Sequence, residues 1–294
     1  MPEIRSIIEE QKMEHHPYFD LWLHKNEELG KVTGGAIIER VTLHEWPLSC
    51  VQRLTCADGR TFIYKVQSQP TVEPEFYQQA RSPLLVRSQV LPVDGLPPAL
   101  LLEDVRAPRL SDLGLSPAEA VRAADVILDG IAGIKGDLPA LLDIRTGERW
   151  LAHSQKILAN LRALVEQGSF TRVTPAMIER VAGHSLSADV LAAVENGPTG
   201  FVHSDLFAEN ILAPQGGYMV LDWQRPIWGP VGLDRAALLG SLGVALEEHL
   251  PPGLLRLRTL LSIDWLAQAA RFWFPPGVET YDQQIARLIE QLEP

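Results

Sequence analysis

The sequence predicts an α+β protein in two lobes, a β-rich first hundred residues and a larger helical remainder. Three observations carry this expectation. Short β-branched and aromatic runs, "GGAIIERVTLHEW", "SCVQRLTC" and "RTFIYKVQ", follow one another with turn residues between them. Helical apolar spacing takes over after "RAPRL" at residues 106–110. At 294 residues the chain is long enough for two lobes with sizeable cores.

The elements follow in order. Residues 1–29 read as a helical extension, with Ile4, Ile7 and Ile8 as its apolar positions. The three strands come next, and then a short helix over "TVEPEFYQQA", with Glu73 to Ala80 as its body. "LLVRSQVLPV" and "PALLLEDV" supply two further strands. "SPAEAVRAADVILDGIAGIKG" opens the helical part, with Ser116 as N-cap and Glu119 three residues on, a capping-box pattern. Helical patterns continue at about 147–167, 174–196, 234–248, 253–272 and 277–292, with the segment around 200–226 as a small β insert. The resulting division is 1–105 for the first lobe and 106–294 for the second.

Composition excludes several classes. A net charge of −11 disfavours nucleic acid and anionic membrane as partners, because phosphate backbones demand basic surface. "MPEIRSIIEEQKMEHH" has neither the basic nor the apolar region of a signal peptide, and the apolar run "AALLGSLGVAL" is too short to cross a bilayer. Cys50 and Cys56, six residues apart on one strand, stand roughly 20 Å apart and cannot bond. The expectation is a soluble, cytoplasmic protein with reduced thiols.

The chemistry gathers in "GFVHSDLFAENILAPQGGYMVLDWQRP", residues 200–226. Two strand-like runs there end in acids, which a strand that only fills a core does not need. Asp205 and Asn210 stand as D-x-x-x-x-N after His203, and Asp222 closes "YMVL" twelve residues later. Two acids and an amide supply the oxygen ligands that Mg²⁺ takes. Taken singly, each has a plainer role: Asp205 as the cap of a turn, Asp222 as a strand end, Lys65 as a solvated strand lysine. Together they define a site. Asp234 either caps the helix "DRAALLGSL" or serves the loop, and Trp223 and Trp228 either wall a pocket or pack in the core.

This layout is that of a kinase catalytic loop followed by a metal-binding aspartate. It resembles the phosphotransferase family of aminoglycoside and choline kinases, whose loop reads H-G-D-x-x-x-x-N and whose metal aspartate sits in I-D-W or I-D-F. Here these are "HSDLFAEN" and "LDW", and the resemblance spans about residues 34–250. It implies a protein-kinase-like fold with a nucleotide-binding first lobe, and a second lobe with the catalytic loop and the substrate site. It also implies Mg²⁺ and ATP, with GTP open, and phosphoryl transfer to the hydroxyl of a small molecule. In those terms Asp205 takes or orients the hydroxyl proton, Asn210 and Asp222 hold the metal, and His203 braces the loop. Asp234 ties that loop down. Lys65 in "TFIYKV" meets the phosphates, with Glu75 as its carboxylate partner and Glu73 in reserve. Backbone groups of Glu103, Asp104 and Val105 meet the adenine edge.

Only "WQRPIWGPVGL" separates Asp222 from Asp234, too short for a peptide-binding activation segment, and no A-P-E follows. The acidic excess of the helical lobe leans toward an amine-bearing acceptor. The glycine-rich phosphate loop is absent: "TLHEWPLSCVQR" has no glycine. Ser49 or backbone N–H groups of that hairpin are left to substitute. Its absence keeps a second reading open, a non-catalytic nucleotide- or metabolite-binding relative.

Overall fold

The computed structural model describes residues 12–93 and 95–292. These form two compact units. The first comprises residues 12–108, 134–139 and 212–225; the second comprises 109–133, 140–211 and 226–292. The segment with Asp222 thus folds with the β-rich unit, although the sequence assigns all of 106–294 to the helical part. Backbone bonds draw it there: Val220 N–H donates to Leu84, Ala213 N–H to Pro108, and Val72 N–H to Gln224.

The first unit begins with a hairpin of β1 (Met13–His15) and β2 (Trp22–His24), followed by helix α1 (Asn26–Thr33). The helix expected over 1–29 is therefore corrected in its described part; residues 1–11 lie outside the described residues. Pro17 lacks the N–H a helix interior needs. His16 Nδ1 accepts the N–H groups of Tyr18 and Phe19, which bends the chain between the two strands.

β3 (Ile37–Trp46), β4 (Ser49–Cys56) and β5 (Thr61–Gln67) follow as an antiparallel meander. Helix α2 (Glu73–Gln79) then leads to β6 (Ser88–Leu91) and β7 (Ala99–Glu103), and the sheet order is β3-β4-β5-β7-β6. β5 is central, so Lys65 is paired across the sheet with Val51 on one side and Leu100 on the other. Leu29, Cys50, Leu54, Cys56, Tyr64 and Leu101 fill the core beneath. Both cysteines are free thiols, and burial pushes Cys50 up to about 11.

The second unit opens with α3 (Pro117–Ala132), started by the expected Ser116–Glu119 capping box. β8 (Leu142–Asp143) and α4 (Gly147–Glu166) follow. The single helix expected over 174–196 is two, α5 (Pro175–Ser185) and α6 (Ala188–Glu195). β9 (Thr199–Val202), β12 (Ile227–Pro230) and β8 make a three-stranded sheet in the order β8-β12-β9. Between β9 and β12 in sequence come β10 (Ile211–Leu212) and β11 (Met219–Val220).

Helices α7 (Gly232–Ser241), α8 (Pro252–Gln268) and α9 (Val278–Gln291) complete the chain. Trp150, Ile157, Leu161, Leu257 and Ile263 form the heart of its core. Buried Asp282 on α9 accepts the N–H groups of Thr171, Arg172 and Val173 at 2.8–2.9 Å, so the loop before α5 is fastened by one carboxylate. No helix among the described residues is long and apolar enough to cross a membrane.

Candidate active site

In the first unit the site is built on β5. Lys65 Nζ lies 2.6 Å from Glu73 Oε2 and 2.5 Å from Asp222 Oδ1. The lysine side chain is 7% exposed and that of Glu73 is wholly buried. Burial alone would lower the lysine pKa, but the charges of Asp222 and Glu73 outweigh it and raise it, so the ammonium is held protonated. Burial raises the Glu73 carboxyl, against the pull of Lys65. Two carboxylates around one ammonium leave a net negative charge for an incoming cation.

The partner of Lys65 is Glu73, which corrects the preference for Glu75. Glu73, Phe76, Tyr77 and Ala80 all face inward at helical spacing, whereas the Glu75 carboxylate accepts from Gln79 on the exposed face. The inward face of α2 is fastened twice: Trp223 N–H donates to Glu73 Oε1 at 3.1 Å, and Phe76 stacks on Trp223 at 4.4 Å. Trp223 is completely buried, a core residue. Gln224, which no motif singled out, donates to Asp222 Oδ1 at 2.6 Å.

At the end of β7, Val105 N–H donates to the Glu103 carbonyl, and the Asp104 carboxylate binds Arg53 and Arg106. In the β3–β4 turn the Ser49 hydroxyl accepts the Trp46 indole N–H at 2.7 Å.

In the second unit the loop after β9 carries the rest. His203 is fully buried and its Nδ1 accepts the Asp205 N–H at 3.2 Å. Asn210 Nδ2 donates to the Asp205 carbonyl at 3.0 Å, which fixes the amide plane. Asp234 is not an N-cap, since α7 starts at Gly232. Its carboxylate accepts His203 N–H at 2.7 Å and Ser204 N–H at 2.9 Å, the loop-fastening role. Trp228, half-buried, lies under the Arg145 guanidinium and edge-on to Phe201. Arg258 lies on α8, and no motif in the sequence marks it. Burial lowers its pKa and the charge of Asp205 raises it, which puts a cation within electrostatic reach of the Asp205 carboxylate.

Among the described non-glycine residues, positive φ occurs at Ser204 and Asp222, both at +69°. Strain of this kind persists where surrounding structure enforces it, and it clusters at functional positions. A left-handed residue with a Cβ costs roughly 1–2 kcal/mol, while glycine adds unfolded-state entropy of about 0.4–1 kcal/mol. Ser204→Gly is therefore expected to raise stability by about 0.5–1 kcal/mol in urea denaturation.

Burial pushes Asp234 up to about 7, against the two N–H groups it accepts and with the help of Asp205. A raised carboxyl binds its proton more tightly in the folded state. Its contribution to stability is whole below about pH 4 and is lost as pH rises to about 7. Relative to Asp234→Asn, the parent should lose on the order of 4 kcal/mol between those pH values, followed by denaturant titration. A constant difference would contradict this.

A strand lysine with its buried carboxylate partner, and a helical unit bearing an Asp–Asn loop, are the parts of a kinase-like fold. The sequence pattern of the phosphotransferase enzyme family matches residues 75–273, and the chain belongs to that family. By that membership it is a phosphotransferase enzyme. The match begins after Glu73, so Lys65 and Glu73 stand on geometry alone.

Solved structures share the fold. A thermostable mutant of aminoglycoside phosphotransferase APH(4)-Ia is similar with a TM-score of 0.60 and 15% identity, over 91% of this chain and 99% of that one. ADP-bound aminoglycoside phosphotransferase APH(2'')-Ib gives 0.58 and 16%, over 90% and 97%. Macrolide 2'-phosphotransferase MphH from Brachybacterium faecium gives 0.55 and 15%, over 91% and 98%. No curated protein matches the chain.

Proposed function

We propose that the protein transfers the γ-phosphoryl group of ATP to a hydroxyl of a small molecule, with Mg²⁺. The observation that carries this reading is the buried Lys65 ammonium held between Glu73 and Asp222. A rigid point charge on a central strand suits nucleotide phosphates. The ADP bound to one structural neighbour supports an adenine nucleotide as donor. The neighbours act on unlike acceptors, aminoglycosides and a macrolide, so the acceptor is defined by its hydroxyl group only.

The donor set fits Mg²⁺. Asp222, about one-third exposed, and the oriented amide of Asn210 offer hard oxygens, and the surplus negative charge around Lys65 favours a cation. Bound there, the ion would neutralise charge on the phosphates. Asp205 would accept or orient the proton of the attacking hydroxyl, with His203 and Asp234 fixing its backbone. Little covalent chemistry falls to the protein, so positioning and charge carry the rate. Backbone groups of Glu103 to Val105 are proposed for the adenine edge.

The β3–β4 turn favours a second reading, a nucleotide- or metabolite-binding relative without turnover, because it has no glycine and its Ser49 is buried. Nucleoside-diphosphate release across hydroxyl compounds separates turnover from binding alone, and calorimetry with ATP tests the nucleotide site. The phosphotransferase reading expects binding that strengthens with Mg²⁺ in the parent and loses that Mg²⁺ dependence in Asp222→Ala. Absence of nucleotide binding in the parent would sink it.

A further inference from the structure

The second unit contains a cavity of about 900 Å³ that the phosphoryl-transfer residues do not line. Its walls come from α3, α6 and the starts of α7 and α8, with Leu128, Ala192, Pro198, Val231, Leu250 and Leu254 as apolar surface. Its volume is that of a site for a drug-sized molecule. β9 pairs with β12 from Thr199↔Pro230 to Val202↔Ile227. The cavity takes Pro198 and Pro230 at one end of this ribbon, while the catalytic loop leaves from the other, roughly 10 Å away at strand rise.

The charged groups at the cavity define what would enter it. Arg235 is committed to Asp125 at 2.5 Å, and Arg256 to Asp189. Each guanidinium is thus paired with an acid of the same lining. Asp129, one turn along α3 from Asp125, forms no ion pair among the described residues. The lining thus carries three acids against two bases, and its one uncommitted charge is negative.

The wall also touches the catalytic loop through the backbone. Val231 N–H donates to the Pro198 carbonyl at 3.0 Å, so the two chain segments feeding the loop are joined at the cavity. Val231, Gly232 and Arg235 bracket Asp234, whose carboxylate holds His203 and Ser204. A molecule that stiffens the first turn of α7 therefore stiffens the group that positions Asp205.

We propose that this cavity is a second ligand site, taking an apolar small molecule with one cationic amine set against Asp129, and that its occupancy is transmitted to the catalytic loop through Val231–Asp234. The test uses one apolar body with three heads: 4-phenylbutylamine, 4-phenylbutanol and 4-phenylbutyrate, titrated by NMR against the whole chain. The amine should bind saturably and most tightly, the carboxylate most weakly. Asp129→Asn should bring the amine about tenfold down, to the level of the alcohol.

Ala193→Trp and Leu128→Trp, which fill the cavity from α6 and α3, should each abolish binding. Should one of them misfold, the other decides. Hydrogen exchange with the amine should slow several-fold at residues 200–206 as well as at the walls. Binding that survives both tryptophans, no saturable binding at all, or preference for the carboxylate would overturn the site. Protection confined to 189–198 and 250–256 would overturn the transmission. None of these readouts needs the phosphoryl acceptor, so they fail or hold apart from the phosphotransferase reading.

Discussion

Replacing Lys65 by methionine is expected to lower stability by about 3–5 kcal/mol, the cost of leaving one partner of a buried ion pair uncompensated. Glu73 is wholly buried and would keep only the Trp223 N–H. Its carboxyl is already raised by burial, and it would face Asp222 with no cation between them. Glu73 would escape by taking up a proton, so the loss should grow with pH. The double change Lys65→Met with Glu73→Leu removes both charges and should regain most of the loss, since an apolar pair of similar volume is often neutral or better. Glu75→Gln, on the exposed face, should stay within about 0.5 kcal/mol of the parent. Urea denaturation of the four proteins reads all of this. An unchanged midpoint for Lys65→Met would contradict the ion-pair geometry.

Asp205→Asn is expected to lower turnover by roughly a hundred- to ten-thousandfold, the range of a lost general base. The amide has the same shape, and the Asp205 carbonyl that receives Phe207 N–H and Asn210 Nδ2 is untouched. The loop should keep its form, and nucleotide affinity should stay near that of the parent. The loss then falls on kcat and not on binding. Arg258, coupled to this carboxylate, would lose its opposing charge, so its pKa should fall further in the variant.

Much of this site is legible in the residues because its chemistry needs fixed spacing. His203, Asp205 and Asn210 lie on one short loop, and the strand pattern around Lys65 is strong enough to place it on β5. The choice between Glu73 and Glu75 turned on helix phase. Phe76, Tyr77 and Ala80 stand at i+3, i+4 and i+7 from Glu73, which puts Glu73 on the apolar face and Glu75 with Gln79 on the wet one. That signal was present, in only two turns of helix. Arg258 was not legible, since its nearness to Asp205 depends on how α8 packs. Nor was the return of 212–225 to the first unit, which rests on backbone bonds that any residues can make. The terminal hairpin was hidden by strands of three residues, too short for a period to show.

The most direct test is release of nucleoside diphosphate from Mg²⁺ with ATP or GTP across a panel of hydroxyl compounds, with the parent and Asp205→Asn side by side. The account predicts turnover with at least one compound in the parent and its loss in the variant. Equal turnover in both proteins would contradict the role of Asp205, and a parent that binds no nucleotide would contradict the phosphotransferase reading itself.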